Sequence, residues 1–163
     1  MLAAHFPVFF LGLMVTGDEA KELKVLARAD WTFARADPDA PKKQDLSVIR
    51  SAAELTARQP WSELDAQAQV VEKVATAAVA KLLKVPTIDW DKQMLVLVTA
   101  GSKPTGGWKV TIDSIKSDGK TLMVEWRAAP PSGFATQAFT HPGQVVLVDR
   151  ADGKATFVEV KKK

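Results

Sequence analysis

The sequence predicts an α+β fold: a mainly antiparallel β-sheet or sandwich with one long amphipathic helix, about residues 62–84, packed on it. Three observations carry this. Residues 108–113 and 122–127 each alternate apolar with polar side chains on either side of Ser117-Asp118-Gly119, the pattern of a half-buried hairpin. Leu64, Ala68, Val71, Val74, Ala75, Ala78, Val79 and Leu82 recur at three- and four-residue steps, the period of a helix with one apolar face. Met94-Leu95-Val96-Leu97-Val98 is apolar without a break, the mark of a central strand buried on both faces.

In chain order, residues 1–17 contain no charged side chain, and 6–15 are apolar over the length of a signal peptide, too short to span a bilayer. Small residues at Thr16-Gly17 precede Asp18-Glu19, so 1–17 read as a signal peptide; it lacks a basic n-region, and a buried first strand is the alternative. Residues 22–160 read as a single domain and Lys161-Lys162-Lys163 as a basic tail. Residues 22–29 read as a strand continuing through Trp31 and Phe33, and 36–43, with Pro38 and Pro41, as an exposed loop. A short strand at 46–50 runs into Ser51 and Glu54, a capping box in which each side chain satisfies the other's backbone donor, opening a short helix at about 51–58. Ser62, with Glu63 and Asp65 in the first turn, starts the long helix, which ends before Pro86.

The central strand delivers the chain into Gly101-Ser102-Lys103-Pro104-Thr105-Gly106-Gly107-Trp108. Pro104 presets one backbone angle, and Gly106 and Gly107 open angles closed to other residues, so the loop has a fixed shape. Gly101 and Gly106 have phosphate-loop spacing, but Gly107-Trp108 stands where Lys-Ser/Thr at a helix start is needed, which removes that chemistry. Beyond it, a two-residue turn would set Ile112 opposite Glu125. A three-residue turn pairs Lys116 with Lys120, Ile112 with Val124 and Val110 with Trp126, and is expected, with Gly119 left-handed. Residues 129–142 form a second irregular stretch; 145–150 and 156–160 are the closing strands.

Composition narrows function. A net charge of +3, all of it matched by the terminal lysines, with no tyrosine and no basic stripe among aromatics, argues against nucleic acid as a partner. No integral membrane segment remains once 1–17 are removed. Zero cysteines exclude disulfides, thiolate nucleophiles, cysteine metal sites and a lipid-modified cysteine. No cofactor or metal site is expected, since only His141 lies within the domain. His141 precedes Pro142 and reads as a surface turn residue; no G-x-S-x-G is present; Asp89, Asp91, Asp113 and Glu125 read as solvated strand or strand-end residues. An enzyme is therefore not expected. Trp31, Trp90, Trp108 and Trp126 fall in or beside strands and read as core, a sugar-stacking platform being the lesser alternative.

The loop and its flanks resemble the PrcB-type protease-complex subunit family. Lys103-Pro104-Thr105-Gly106-Gly107-Trp108 is similar to the family's K-P-T-G-G-Y loop, with tryptophan in place of tyrosine. Residues 48–55, Ile88-Asp89-Trp90 and 137–148 resemble the family's capped helix, its approach to the central strand and its proline-led late strand. The resemblance, over about residues 47–148, implies a bacterial, extracytoplasmic, non-catalytic protein-binding domain that supports assembly or stability of a secreted protease. Lys103, Pro104, Thr105, Gly106, Gly107 and Trp108 are then the interaction loop. The same loop is similar, more loosely, to the N-P-T-T-G-Y loop of chagasin-type inhibitors, which implies protease inhibition as the alternative.

Overall fold

The unbroken apolar run at Met94–Val98 reflects hydrophobic neighbours on two sides. The computed structural model describes residues 19–33, 44–58 and 68–161. Their elements are β1 (Lys21–Glu22), β2 (Val25–Phe33), β3 (Asp45–Ile49), α1 (Ala52–Thr56), α2 (Ala68–Leu83), β4 (Gln93–Thr99), β5 (Lys109–Ser117), β6 (Thr121–Ala129), β7 (His141–Asp149) and β8 (Lys154–Glu159). The strands make two four-stranded sheets, ordered β1-β5-β6-β8 and β2-β7-β4-β3. Met94, Val96 and Val98 of β4 and Val146 and Val148 of β7 point between the sheets, against Val110, Ile112, Leu122, Val124 and Trp126. Leu95, Val145 and Leu147 point the other way, against Leu55, Ala75, Val79, Ala80 and Leu83 of the helices. Three layers therefore bury β4 and β7 on both faces, and alternation disappears from their sequences.

β7 is more completely buried than the sequence suggests. All of residues 141–148 are buried, and His141 is 7% exposed, in a strand and not in a surface turn. The reason is lateral. β2 flanks this end of β7 through Phe33↔His141 and Thr32↔Pro142, and β4 flanks it through Thr99↔Gly143, so even Pro142-Gly143 is enclosed.

Several further expectations are corrected. The extended run from residue 22 onward is two strands: it breaks at Leu23-Lys24, β1 pairing with β5 and β2 with β7. One extended stretch thereby serves both sheets. β8 runs parallel to β6, so the first sheet is mixed. The chain reaches β8 by way of β7 in the other sheet, and that crossing sets its direction. α2 has 16 residues, fewer than about 62–84, and the start expected at Ser62 lies outside the described residues. Its buried stripe is Ala75, Val79, Ala80 and Leu83, while Val74 and Leu82 are exposed. α2 meets β2, β7 and α1, and the 75-79-83 ridge is the one facing them. Beyond α2, Lys84 (φ 58) takes the left-handed position, with Val85 N–H donating to Ala80 O at 3.0 Å and Lys84 N–H to Lys81 O at 3.1 Å. The capping box is half as expected: Ser51 Oγ accepts from Glu54 N–H at 3.1 Å, but Glu54 Oε2 accepts from Arg50 N–H at 2.7 Å. The segments 1–17 and 36–43 lie outside the described residues. No described helix is long and apolar enough to cross a membrane.

The β5–β6 hairpin also departs from the three-residue turn. Ser117 pairs with Leu122 and Ile115 with Val124; a bulge between Ile112 and Ser114 then shifts the register, so that Ile112 meets Trp126 and Val110 meets Ala128. The extra residue, Asp113, returns both halves of β5 to the apolar side. Gly119 is left-handed as expected (φ 82).

Asp118 secures the turn. Its Oδ1 accepts from the N–H groups of Lys120 and Thr121, and its Oδ2 from the Thr121 hydroxyl at 2.7 Å. These donors, the Thr121 hydroxyl first, hold its carboxyl down to about 2. A depressed folded value means that the contribution is complete above the ordinary value of 3.8 and is lost as pH falls through about 2. A carboxyl NMR titration should place the Asp118 midpoint near 2. It should move upward in Thr121→Val; a midpoint at the ordinary value in the unsubstituted protein would remove this role.

Candidate functional site

The loop between β4 and β5 does not stand alone. Lys103 N–H donates to Thr140 O at 2.8 Å and Thr140 N–H donates back to Lys103 O at 3.0 Å, a one-residue antiparallel bridge. Gly106 N–H donates to Thr136 O at 2.9 Å, and the Thr140 hydroxyl donates to Thr105 O at 2.8 Å. Residues 131–140, the irregular chain between β6 and β7, thus run back along the loop and hold it by four hydrogen bonds. Fixing a loop before it meets anything removes ordering entropy from any later contact.

The two central glycines serve different ends. Gly107 has φ 79 and lies where a Cβ would come 2.9 Å from Pro131 Cβ. Gly106 does not take a positive φ, contrary to expectation; it is required for space, since a Cβ there would collide with Thr136 Oγ1. Gly106→Ala should cost about 1 kcal/mol, the scale of forcing a side chain from its rotamer. Most of that should return in Gly106→Ala/Thr136→Ala, measured as a double-mutant cycle by urea denaturation. Absence of coupling would show that the Thr136 contact is unimportant.

Of the six loop residues expected to meet a partner, Pro104 and Gly107 are exposed, Lys103, Thr105 and Trp108 are half-buried, and Gly106 is buried. Lys103 Nζ sits 4.7 Å from the centroid of the Trp108 ring, a cation–π contact that closes the loop on itself. Trp108 Nε1 is buried without a hydrogen-bond partner, which fits an anchor more than a contact residue.

The residues that the sequence did not single out lie on the second strip. Phe134 is fully exposed, at 113% of its reference area, and Phe139 is 66% exposed. The available signal was two large aromatics in a Pro-, Gly- and Thr-rich stretch where no strand period accounts for them. Pro131, Thr136 and Thr140 could not be linked to the loop by local pattern, because their partners Gly107, Gly106, Thr105 and Lys103 lie far away in sequence.

Elsewhere, several carboxylates are engaged in ion pairs. Asp89 pairs with Lys92 at 3.2 Å, and that contact holds its carboxyl below the usual value. Asp113 pairs with Arg127 at 3.2 Å, and Glu125 meets Lys116 at 3.5 Å while accepting from the Ser114 hydroxyl. A groove beside the helices is lined by Glu72, Lys73, Thr76, Pro86 and Trp90 among others. Among the described residues no three of His, Cys, Asp and Glu cluster as a metal site.

Residues 94–149 match the family model described as PrcB C-terminal. The matched stretch runs from β4 to the end of β7 and holds both strips of the clamped pair. It carries the resemblance drawn from Lys103–Trp108 and from residues 137–148; residues 48–55 and 88–90 lie outside it. No curated protein and no solved structure matches the chain.

Proposed function

We propose, from a PrcB C-terminal match that spans residues 94–149, that this protein is an exported, non-catalytic binding partner that supports assembly or stability of a secreted protease. The family suggests association with a protease complex. The observation that carries the reading to a surface is the four-bond clamp, which presents the loop tip around Pro104 in one conformation. Export rests on the charge-free, apolar opening of the chain, residues 1–17. Absence of catalysis rests on the loop's residue types, none of which is a nucleophile paired with a base.

The test is affinity purification of the tagged full chain from the exported fraction of its native host, compared with Pro104→Ala/Thr105→Ala. Recovery of a protease with the unsubstituted protein, reduced at least fivefold by the loop variant at unchanged thermal stability, is the expected result. Recovery of no protease would overturn it. The preformed loop also suits insertion into a protease cleft, so papain-like activity should be assayed with the protein at micromolar concentration. Inhibition that Pro104→Ala relieves would favour the inhibitor reading instead.

A further inference from the structure

We propose that Phe134 and Phe139 are the apolar contact of a composite docking surface, whose occupant is a protein cleft lined by apolar side chains and rimmed by carboxylates. The inference rests on the binding role proposed above and moves its centre from the loop to the strip that clamps it. Single exposed apolar residues are ordinary on protein surfaces. Here two phenylalanines stand within six positions, on a strip whose backbone is fixed at Thr136 and Thr140. Phe134 lies between Pro131, which abuts Gly107, and Thr136, which holds Gly106; Phe139 adjoins Thr140, which is bridged to Lys103. Aromatic side chains displayed on a fixed backbone are the anchors that protein interfaces use.

Charge selects the occupant. Residues 100–112 and 126–148, which contain both strips, have no Asp or Glu and carry Lys103, Lys109 and Arg127. Arg127 is paired with Asp113, and Asp45, at the same end of β3, is held by Arg58 at 2.9 Å. Lys109 is exposed, and the Lys103 side chain lies half-buried over the Trp108 ring. A carboxylate-bearing rim complements that field. A second copy of this surface would bring the same cations together. An anionic lipid surface is recognised by clusters of about four to eight basic residues, more than stand here.

The test places the photo-crosslinking residue benzoylphenylalanine at Phe134, at Phe139 and, as a control, at Lys73 on α2, in the full chain expressed in its native host. The expected result is a protein adduct from positions 134 and 139 but not from 73. Mass spectrometry should map the adduct to a segment bearing both apolar and acidic side chains, and Lys109→Glu should cut its yield at least fivefold. Phe134→Ser, whose side chain is fully exposed, should keep the thermal midpoint while abolishing capture in the affinity purification. An adduct with lipid, an adduct with a second copy, no adduct at all, or a yield indifferent to Lys109→Glu each overturns the proposal. A protease recovered by affinity purification without an adduct at 134 or 139 sinks this surface and leaves the protease role standing. An adduct that meets the criteria but is not a protease does the reverse.

Discussion

Gly153→Ala should destabilise the protein by about 3 kcal/mol or more, the upper range for strained backbone with a steric clash added. Gly153 has φ +107, and a Cβ there would lie 2.5 Å from Lys120 O, 2.6 Å from its carbonyl carbon and 2.9 Å from Thr121 N. All three are backbone atoms, so no rotamer change relieves the contact. The displaced carbonyl is the acceptor for Lys154 N–H at 3.0 Å, a bond at the start of the β8–β6 pairing. Arg50 is involved too, its guanidinium donating to Ala151 O at 3.1 Å and Gly153 O at 3.0 Å. The substitution therefore loosens the parallel strand and its tie to β3 together. Gly119→Ala is the control: φ is +82 but nothing lies within 4 Å of the added carbon. It should cost only about 1–2 kcal/mol, the penalty of the angle alone. Urea midpoints at unchanged slope measure both. Equal costs would show that crowding against Lys120 is not the cause.

Gln144→Leu should cost about 1–3 kcal/mol, the penalty for leaving a buried N–H unpaired. Gln144 is 2% exposed, and its side chain links three strands across the sandwich. Its Oε1 accepts from Ile112 N–H at 2.8 Å and its Nε2 donates to Asp30 Oδ1 at 2.6 Å. Ile112 is the residue beside the bulge in β5, so the amide supports the place where that strand changes register. Gln144→Glu separates polarity from shape. It keeps an acceptor for Ile112 but sets a second carboxylate against Asp30, so at neutral pH it should be at least as damaging as leucine. Burial and the like charge raise the folded pKa of the introduced carboxyl, so its penalty is largest at high pH and shrinks as pH falls and the group protonates. Urea denaturation at pH 7 and pH 4.5 should show the Gln144→Glu deficit closing relative to the unsubstituted protein. A deficit independent of pH would mean that Asp30 does not face the introduced group.

Local sequence is informative where one or two residues dictate the backbone. Pro104 and Gly107 announce a shaped loop, Ser51 announces a helix start, and Gly119 a left-handed turn. Where the structure departs from the local pattern, the deciding partner is remote. Residues 110, 112 and 115 are apolar at spacings of two and then three, and that change of step was the visible sign of a bulge at Asp113. A turn count by itself could not place it, because either hairpin length satisfies half of the strand. His141 reads as a surface residue beside a proline because nothing in its neighbourhood says that it pairs with Phe33 of β2 at the end of a buried strand.

The sequence by itself determined the β-rich class, the doubly buried strand at Met94–Val98 and the turn positions at Pro104 and Gly107. These follow from periodicity and backbone restriction, which are properties of short stretches. Only the tertiary structure decided the order β2-β7-β4-β3, the parallel seating of β8, and which ridge of α2 is buried. It alone joined residues 131–140 to the loop and left Phe134 and Phe139 outside. Those outcomes depend on contacts between segments far apart in the chain, where close packing and hydrogen-bond satisfaction select one arrangement among several that the local pattern allows.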